Sequence, residues 1–387
     1  MQKVDKFIPL SRPTISEETI SEVVNVLRSG WLATGPLTQK SEQKLKEYFG
    51  GRRTVCTMTS NTMGLQAALM AIGVKAGDEV IVPPLTFAAT ANTVASLGAK
   101  PVFVDVDKDT FNIDPNKIEQ ACTPKTKAIM PVHYAGVPVD LDAIYEIAKR
   151  KNLRVIEDAA HAMGTSYKGK RIGSFGDIQV FSFHPIKNMT TGEGGCVVLP
   201  EENADELKLL NLQKFHGIDR SIWDRFSKNA SCYYDVVFPG CKSNMSDIQS
   251  AIGLHQLDEL EAMNERRRQL IERYIDAFKD KDYITYQKDP EYDFVHSGHL
   301  FPICVEPNYK DDLMAFLKEN LIGTTPYYTP LHYFTYYQKE FGYKKGDFPN
   351  AEYIGDRVIC IPLYSGLSDD EQDYIVQKID EFFKNKG

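Results

Sequence analysis

An α/β fold built on a large, mostly parallel sheet is what the 387 residues predict. Short β-branched runs alternate with longer helical patterns over the first two-thirds of the chain, and such alternation produces parallel sheets covered on both faces. Past Ser246 the pattern changes to one long helical stretch, then to a shorter mixture of strand and helix. The length also exceeds what one layered unit usually holds, so a large domain with a smaller companion is expected.

Seven strands are expected in order: Thr54–Thr59, Glu79–Pro83, Pro101–Val106, Ala128–Val132, Arg154–Glu157, Ile178–Phe183 and Gly195–Leu199. Helical stretches such as Leu141–Lys151 and Ala204–Phe215 lie between or after them. From Ser246 to Lys279, Ile248, Ile252, Leu257, Leu260, Leu270 and Tyr274 recur at roughly helical spacing, as one long helix or a bent pair. The domain change is placed inside that stretch, giving a large domain over 1–255 and a small C-terminal α/β domain over 256–387. The latter holds a strand near Leu300–Val305 and helices near Asp311–Glu319 and Asp369–Lys384.

Hydrophobic residues at 42% and charged residues at 25% are ordinary globular values, which excludes bulk disorder. A net charge of −8 argues against a nucleic-acid-binding surface, while leaving room for a local basic pocket. Seven cysteines with no CxxC pair read as reduced thiols, with neither a disulfide framework nor a metal site. Met1 to Ser11 contains no apolar signal core, and no run of about 18 apolar residues exists to insert in a membrane. A cytoplasmic protein is expected.

Chemistry-bearing residues gather at the carboxyl ends of these strands, where open α/β sheets bind ligands. The apolar run Val180-Phe181-Ser182-Phe183 breaks at Pro185 and is followed by Lys187 and a glycine-rich turn. Most loop lysines are solvated, but an amine desolvated beside Phe181 and Phe183 has the depressed pKa that a Schiff-base lysine needs. Asp158 leaves another strand on the same side. It could cap a helix, or pair with the protonated ring nitrogen of pyridoxal phosphate (PLP). Small Ala160 would let a flat ring lie close, and His161 could bond the ring's phenolic oxygen. Ser60-Asn61-Thr62 opens a helix, whose free amides and dipole favour a phosphate, with Ser182 adding a hydroxyl. Phe87, ordinarily a core residue, becomes a stacking wall if the ring sits there. An amine, a pyridinium counter-ion, a phosphate cradle and an aromatic wall are the groups PLP requires.

The sequence also resembles the DegT/StrS-type nucleotide-sugar aminotransferases over essentially its whole length. Ser29-Gly30-Trp31, Thr34-Gly35-Pro36, Ser60-Asn61-Thr62, Val132 to Gly136, Glu157 to His161 and Phe181 to Gly195 fall in that family's order. They are followed by Lys214-Phe215-His216-Gly217, Asn244 to Gln249, Tyr328 to His332 and Phe348 to Glu352. Phe183-His184-Pro185-Ile186-Lys187-Asn188 and His133-Tyr134-Ala135-Gly136 lean towards the branch that makes UDP-4-amino-4-deoxy-L-arabinose for lipid A. Asn61 stands where many relatives have alanine, and Phe87 where that branch has tryptophan.

The resemblance implies a fold-type I PLP aminotransferase, with Lys187 as the Schiff-base lysine and Asp158 as the pyridinium partner. Thr62 and Ser182 would bind phosphate, while Asn244 would reach the cofactor of a neighbouring subunit in a homodimer with shared sites. Trp31, Thr34, His184, Lys214, Tyr328 and His332 are candidates for the substrate, and Lys214, Arg220 and Arg225 for its diphosphate. Glutamate would donate the amino group, yielding 2-oxoglutarate, and a nucleotide-linked 4-keto sugar would accept it. The helix beginning near Ser246 offers Asn244 another role, as a simple cap. Amination at C3 and a non-catalytic regulatory relative also stay open, although intact Lys187, Asp158 and Ser182 weigh against the latter. A nicotinamide dehydrogenase is weaker, because no G-x-G-x-x-G follows the first strand.

Overall fold

The computed structural model describes residues 6–219 and 234–386. All seven expected strands form, and they join one sheet. They are β1 (Arg53–Met58), β2 (Glu79–Val82), β3 (Lys100–Phe103), β4 (Thr126–Ile129), β5 (Arg154–Asp158), β8 (Ile178–Ser182) and β9 (Gly195–Pro200). Between β5 and β8 lie two two-residue strands, β6 (Ser166–Tyr167) and β7 (Lys170–Arg171). The large sheet has the order β1-β9-β8-β5-β4-β2-β3. Only β9 runs against its neighbours β1 and β8; the other pairings are parallel.

Strand alternation divides the side chains between two cores, one on each face. Val80 and Val82 of β2 enter one cluster and Ile81 the other; Ile156 and Val155 of β5 separate in the same way. Each is fully or almost fully buried, a gain of about 1.5–3 kcal/mol per large aliphatic side chain.

Two expected strands are shorter than their apolar runs. The Pro101–Val106 run leaves the sheet after Phe103, and Val106 pairs instead with Ile113 in an isolated bridge. The Ala128–Val132 run leaves after Ile129, with Val132 bridging to Asp158. Both ends peel away where the chain turns over the carboxyl edge of the sheet.

The stretch read as one helix or a bent pair is a single helix, Asp247–Phe278. Ser246 starts it with a capping box, its hydroxyl bonded to Gln249 N and the Gln249 side chain returning to Ser246 N. Residues 255 and 256 lie inside this helix. Leu257 and Leu260 enter a large-sheet core, whereas Leu270, Tyr274 and Phe278 enter a third core further on. That core covers a sheet of β10 (Thr285–Tyr286), β12 (Phe301–Cys304) and β13 (Val358–Ile361), in the order β10-β12-β13. A further small sheet joins β11 (Phe294–Val295) to β6 and β7. Among the described residues no helix is long and apolar enough to cross a membrane.

Candidate active site

The carboxyl ends of β1, β2, β5 and β8 converge on a cavity of about 240 Å³. Lys187, Asp158, Ser60, Asn61, Thr62 and Phe87 line it. So do Ala160, His161, Ser182, His184 and Tyr328, all from the sequence-derived set. Thr86, Glu193 and Tyr327 complete much of the wall.

Asp158 ends β5, and the pleat decides where it points. Its neighbour Glu157 turns to the opposite face and accepts from His133 Nε2 (2.9 Å), Tyr145 OH (2.7 Å) and Gln179 Nε2 (2.6 Å). Asp158 turns to the cavity. Its Oδ2 accepts from Thr90 Oγ1 at 2.8 Å, and its Oδ1 from Asn61 Nδ2 at 3.2 Å and Ala160 N at 3.3 Å. Burial raises its pKa, opposed by those donors and by Lys187. The bond to Ala160 N is a local turn contact; Asp158 caps no helix.

Lys187 lies beyond the break at Pro185, in a turn where its own N–H donates to His184 O at 2.8 Å. Among the described residues its Nζ makes no hydrogen bond or ion pair. Burial pulls the amine's pKa down to about 8, against the opposing field of Asp158. About a tenth of the group is therefore free amine at pH 7, against well under a thousandth for an ordinary lysine.

The helix Asn61–Ala71 directs its N-terminus at the same cavity. Ser60 caps it, accepting from Met63 N at 3.2 Å. Its first amides have no acceptor within the helix, and they lie beside the Ser182 and Thr62 hydroxyls. The backbone approach is close: a Cβ on Gly195 would meet Phe181 O at 2.5 Å and Asn61 N at 2.7 Å. Phe87 is not a core residue. It is 61% exposed, an apolar wall standing at the cavity.

His161 accepts from Ala135 N at Nδ1 (3.2 Å), so its neutral ring carries the proton at Nε2, 3.1 Å from Tyr328 OH. Burial, with Lys187 and His133 adding to it, lowers the His161 pKa far enough to keep it neutral. His184 lies at the cavity with Nδ1 accepting from Ile186 N at 3.3 Å, leaving Nε2 to face a ligand.

Four substrate candidates stand elsewhere in the single chain. His332 is buried against Glu352, 2.9 Å from its carboxylate. Thr34 and Lys214 line a second cavity of about 730 Å³, as does Asn244, whose amide donates to the Thr34 hydroxyl. Trp31 donates from Nε1 to Thr34 O at 3.2 Å. Asn244 does not cap the long helix, because Ser246 does. Arg220 and Arg225 lie outside the described residues.

Sequence reading missed Thr90 and Thr86. Their hydroxyls are 2.9 Å apart, and Thr90 is the shortest side-chain contact of Asp158. The available signal was a pair of threonines one helical turn apart, just after a strand whose end carries Phe87.

A desolvated amine unpaired among the described residues, a buried carboxylate held by three donors, a helix N-terminus with hydroxyls and an exposed aromatic wall fit PLP in charge and shape. Fold and cavity together define a PLP-dependent enzyme of fold type I. The chain belongs to the DegT/DnrJ/EryC1/StrS aminotransferase family, whose profile matches residues 13–380. It is 43% identical over 392 residues to the spore coat polysaccharide biosynthesis protein SpsC of Bacillus subtilis (strain 168), covering 99% of each chain. A sugar aminotransferase of Streptococcus pneumoniae, Spr1654, superimposes in its PMP-form with a TM-score of 0.90 at 34% identity, over 97% of this chain and 98% of that one. Helicobacter pylori PseC, an aminotransferase of pseudoaminic acid biosynthesis, gives a TM-score of 0.89 at 29% identity over 98% and 100%.

Proposed function

We propose that this aminotransferase moves an amino group from glutamate to a nucleotide-linked 4-keto sugar, a UDP-4-keto pentose or a 4-keto-6-deoxyhexose, for a cell-surface polysaccharide or lipid A. The observation that carries this reading is Lys187, a partly buried, desolvated amine with no bonded partner among the described residues, sharing one cavity with Asp158 and Phe87. When bound, PLP supplies an aldehyde that exchanges between amines and a ring that withdraws electrons. Lys187 holds that aldehyde between turnovers and moves the proton at the carbon that gains or loses nitrogen. Asp158 keeps the ring nitrogen protonated, with Thr90 and Asn61 orienting its oxygens. The helix at Asn61, with Thr62 and Ser182, binds the phosphate, and Phe87 excludes water from one ring face. His161 donates from Nε2 and orients Tyr328. The SpsC and PseC likenesses support surface-sugar biosynthesis over the more specific lipid A pentose.

We also propose a cytoplasmic homodimer whose sites are shared. Ile20, Leu27 and Leu32 are 45%, 54% and 43% exposed near the N-terminus, an apolar surface suited to a second copy. Asn244 lies outside its own chain's Lys187 cavity, which supports a role in the other one. Mixing Asn244→Ala with Lys187→Ala chains tests this. A shared-site heterodimer keeps one fully wild-type site; heterodimers that retain PLP no better than the Asn244→Ala homodimer refute it.

The substrate is tested by incubating the purified protein with glutamate and a panel of UDP-, dTDP- and GDP-keto sugars, then identifying products by mass. A 4-amino sugar and 2-oxoglutarate are expected; a 3-amino product, or none from any 4-keto sugar, rejects the assignment.

A further inference from the structure

The turn that carries Lys187 is laced to the long helix by three carboxamide hydrogen bonds. Gln249 Nε2 donates to Glu193 O at 2.7 Å, Gln256 Oε1 accepts from Thr190 N at 3.3 Å, and Asn188 Nδ2 donates to Asn264 Oδ1 at 2.7 Å. At about 100° per residue, the helix positions 249, 256 and 264 fall within a sector of about 80°. Gly253 lies in the same sector and lets the two segments touch: a Cβ there would come within 2.8 Å of Thr191 Cγ2. Neutral amides suit this place. Asn188, Gln256 and Asn264 are 3%, 2% and 0% exposed, where unpaired charges would be costly.

Asn188 differs from the other two ties because it adjoins the lysine. Its Nδ2 also donates to Ser297 O at 2.7 Å, and Ser297 Oγ donates to His161 O at 2.7 Å. Two turns that line the cavity, those of Lys187 and His161, are thus fastened to Ser297. Asn264 Nδ2 continues the network to Met163 O at 3.0 Å. Among the described residues the Lys187 amine has no bond of its own to hold it, so its position follows from the backbone that carries it.

We infer that Asn188 is a positioning residue for Lys187: its carboxamide, gripped by Asn264 and Ser297, fixes where the lysine enters the cavity. The inference rests on the role proposed for Lys187. It makes the depth of the amine, and hence its reactivity, depend on a side chain that never touches cofactor or substrate.

The test uses the full-length protein, freed of cofactor and given PLP, with Asn188→Ala and Asn264→Ala as variants. Borohydride trapping followed by peptide mass gives the rate of attachment at Lys187 as a function of pH. In the wild type that rate rises with pH through a midpoint near the desolvated amine's value of about 8. In Asn188→Ala the loosened turn lets the amine reach solvent. The midpoint should move up towards the ordinary lysine range, and trapping at neutral pH should slow about tenfold. Turnover should fall about tenfold to a hundredfold while KM for glutamate stays within about twofold, as expected when geometry rather than binding is lost. Asn264→Ala should shift both readouts in the same direction but less, because Ser297 O remains.

Lower thermal stability with an unmoved midpoint and trapping rate would make Asn188 a structural tie and overturn the inference. Should Asn188→Ala fail to fold, the midpoint in Asn264→Ala decides by the same rule. A wild-type protein that traps no PLP at Lys187 refutes the underlying role as well, whereas wild-type trapping with unmoved variants refutes this inference alone.

Discussion

Lys187 and Lys214 are both partly buried lysines near the ends of regular elements, and loss of solvent leaves them in opposite states. Lys187 has Asp158 in its field but no bonded carboxylate, and desolvation brings it down to about 8. Lys214 also loses solvent, but Cys56 Sγ at 3.2 Å and Glu42 Oε1 at 3.3 Å outweigh that loss and raise its pKa. It also closes the helix Ala204–Lys214, where the dipole favours a cation. Desolvation alone does not make a nucleophile. What matters is whether the ammonium is given an anion to keep.

The largest effect is expected at Lys187. Lys187→Ala should lower transamination by at least about a thousandfold, since both nucleophile and proton carrier are lost, while Asp158 and the helix N-terminus still bind PLP. Turnover near the wild-type rate, measured as 2-oxoglutarate release, would end the argument. Asp158→Asn comes next. On the role proposed for Asp158 it removes the charge that would hold the ring nitrogen protonated, and a loss of at least about a hundredfold is expected in steady-state kinetics.

A gentler measurement sets the two lysines side by side. A small amine-acylating reagent added to cofactor-free protein should label Lys187 increasingly as pH rises through about 8, the free-amine fraction growing with pH. Lys214, its pKa raised, should stay unlabelled through pH 9 by peptide mass. Equal labelling would erase the distinction. The smallest effect belongs to Lys214→Met, which leaves Glu42 with its two bonds from Thr57 N and Oγ1. It should cost about 1–2 kcal/mol in denaturant unfolding, with the absorbance of bound PLP unmoved.

Most of the large sheet was legible because its strands are buried on both faces, so apolar β-branched runs had no competing explanation. The site was legible for a related reason. Lys187, Asp158, Ser60 and Phe87 each follow such a run, and topology brings strand ends together. What sequence did not disclose depends on contacts between distant segments. Thr90 reads as one more small helical residue until Asp158 is placed beside it. The strands Ser166–Tyr167, Lys170–Arg171 and Phe294–Val295 are too short to show any period. Phe87 looked like core because aromatic residues after strands usually are; its exposure follows from the cavity it flanks. The charge of Lys214 is plain in the sequence, but its partners Glu42 and Cys56, 172 and 158 residues away, are not.

The amide lacing of the lysine turn also has a consequence for how the protein is made. Asn188 waits for Asn264, synthesised 76 residues later, and for the Ser297 carbonyl, 109 residues later. On the ribosome the strands and Lys187 emerge first, with the turn still unfastened and the amine open to water. The pocket therefore matures from its C-terminal side, and a chain interrupted before residue 297 carries nearly every residue lining the cavity, Tyr327 and Tyr328 excepted, yet lacks the carbonyl that grips Asn188. Full-rate attachment of the cofactor at Lys187 is then a late step of biogenesis.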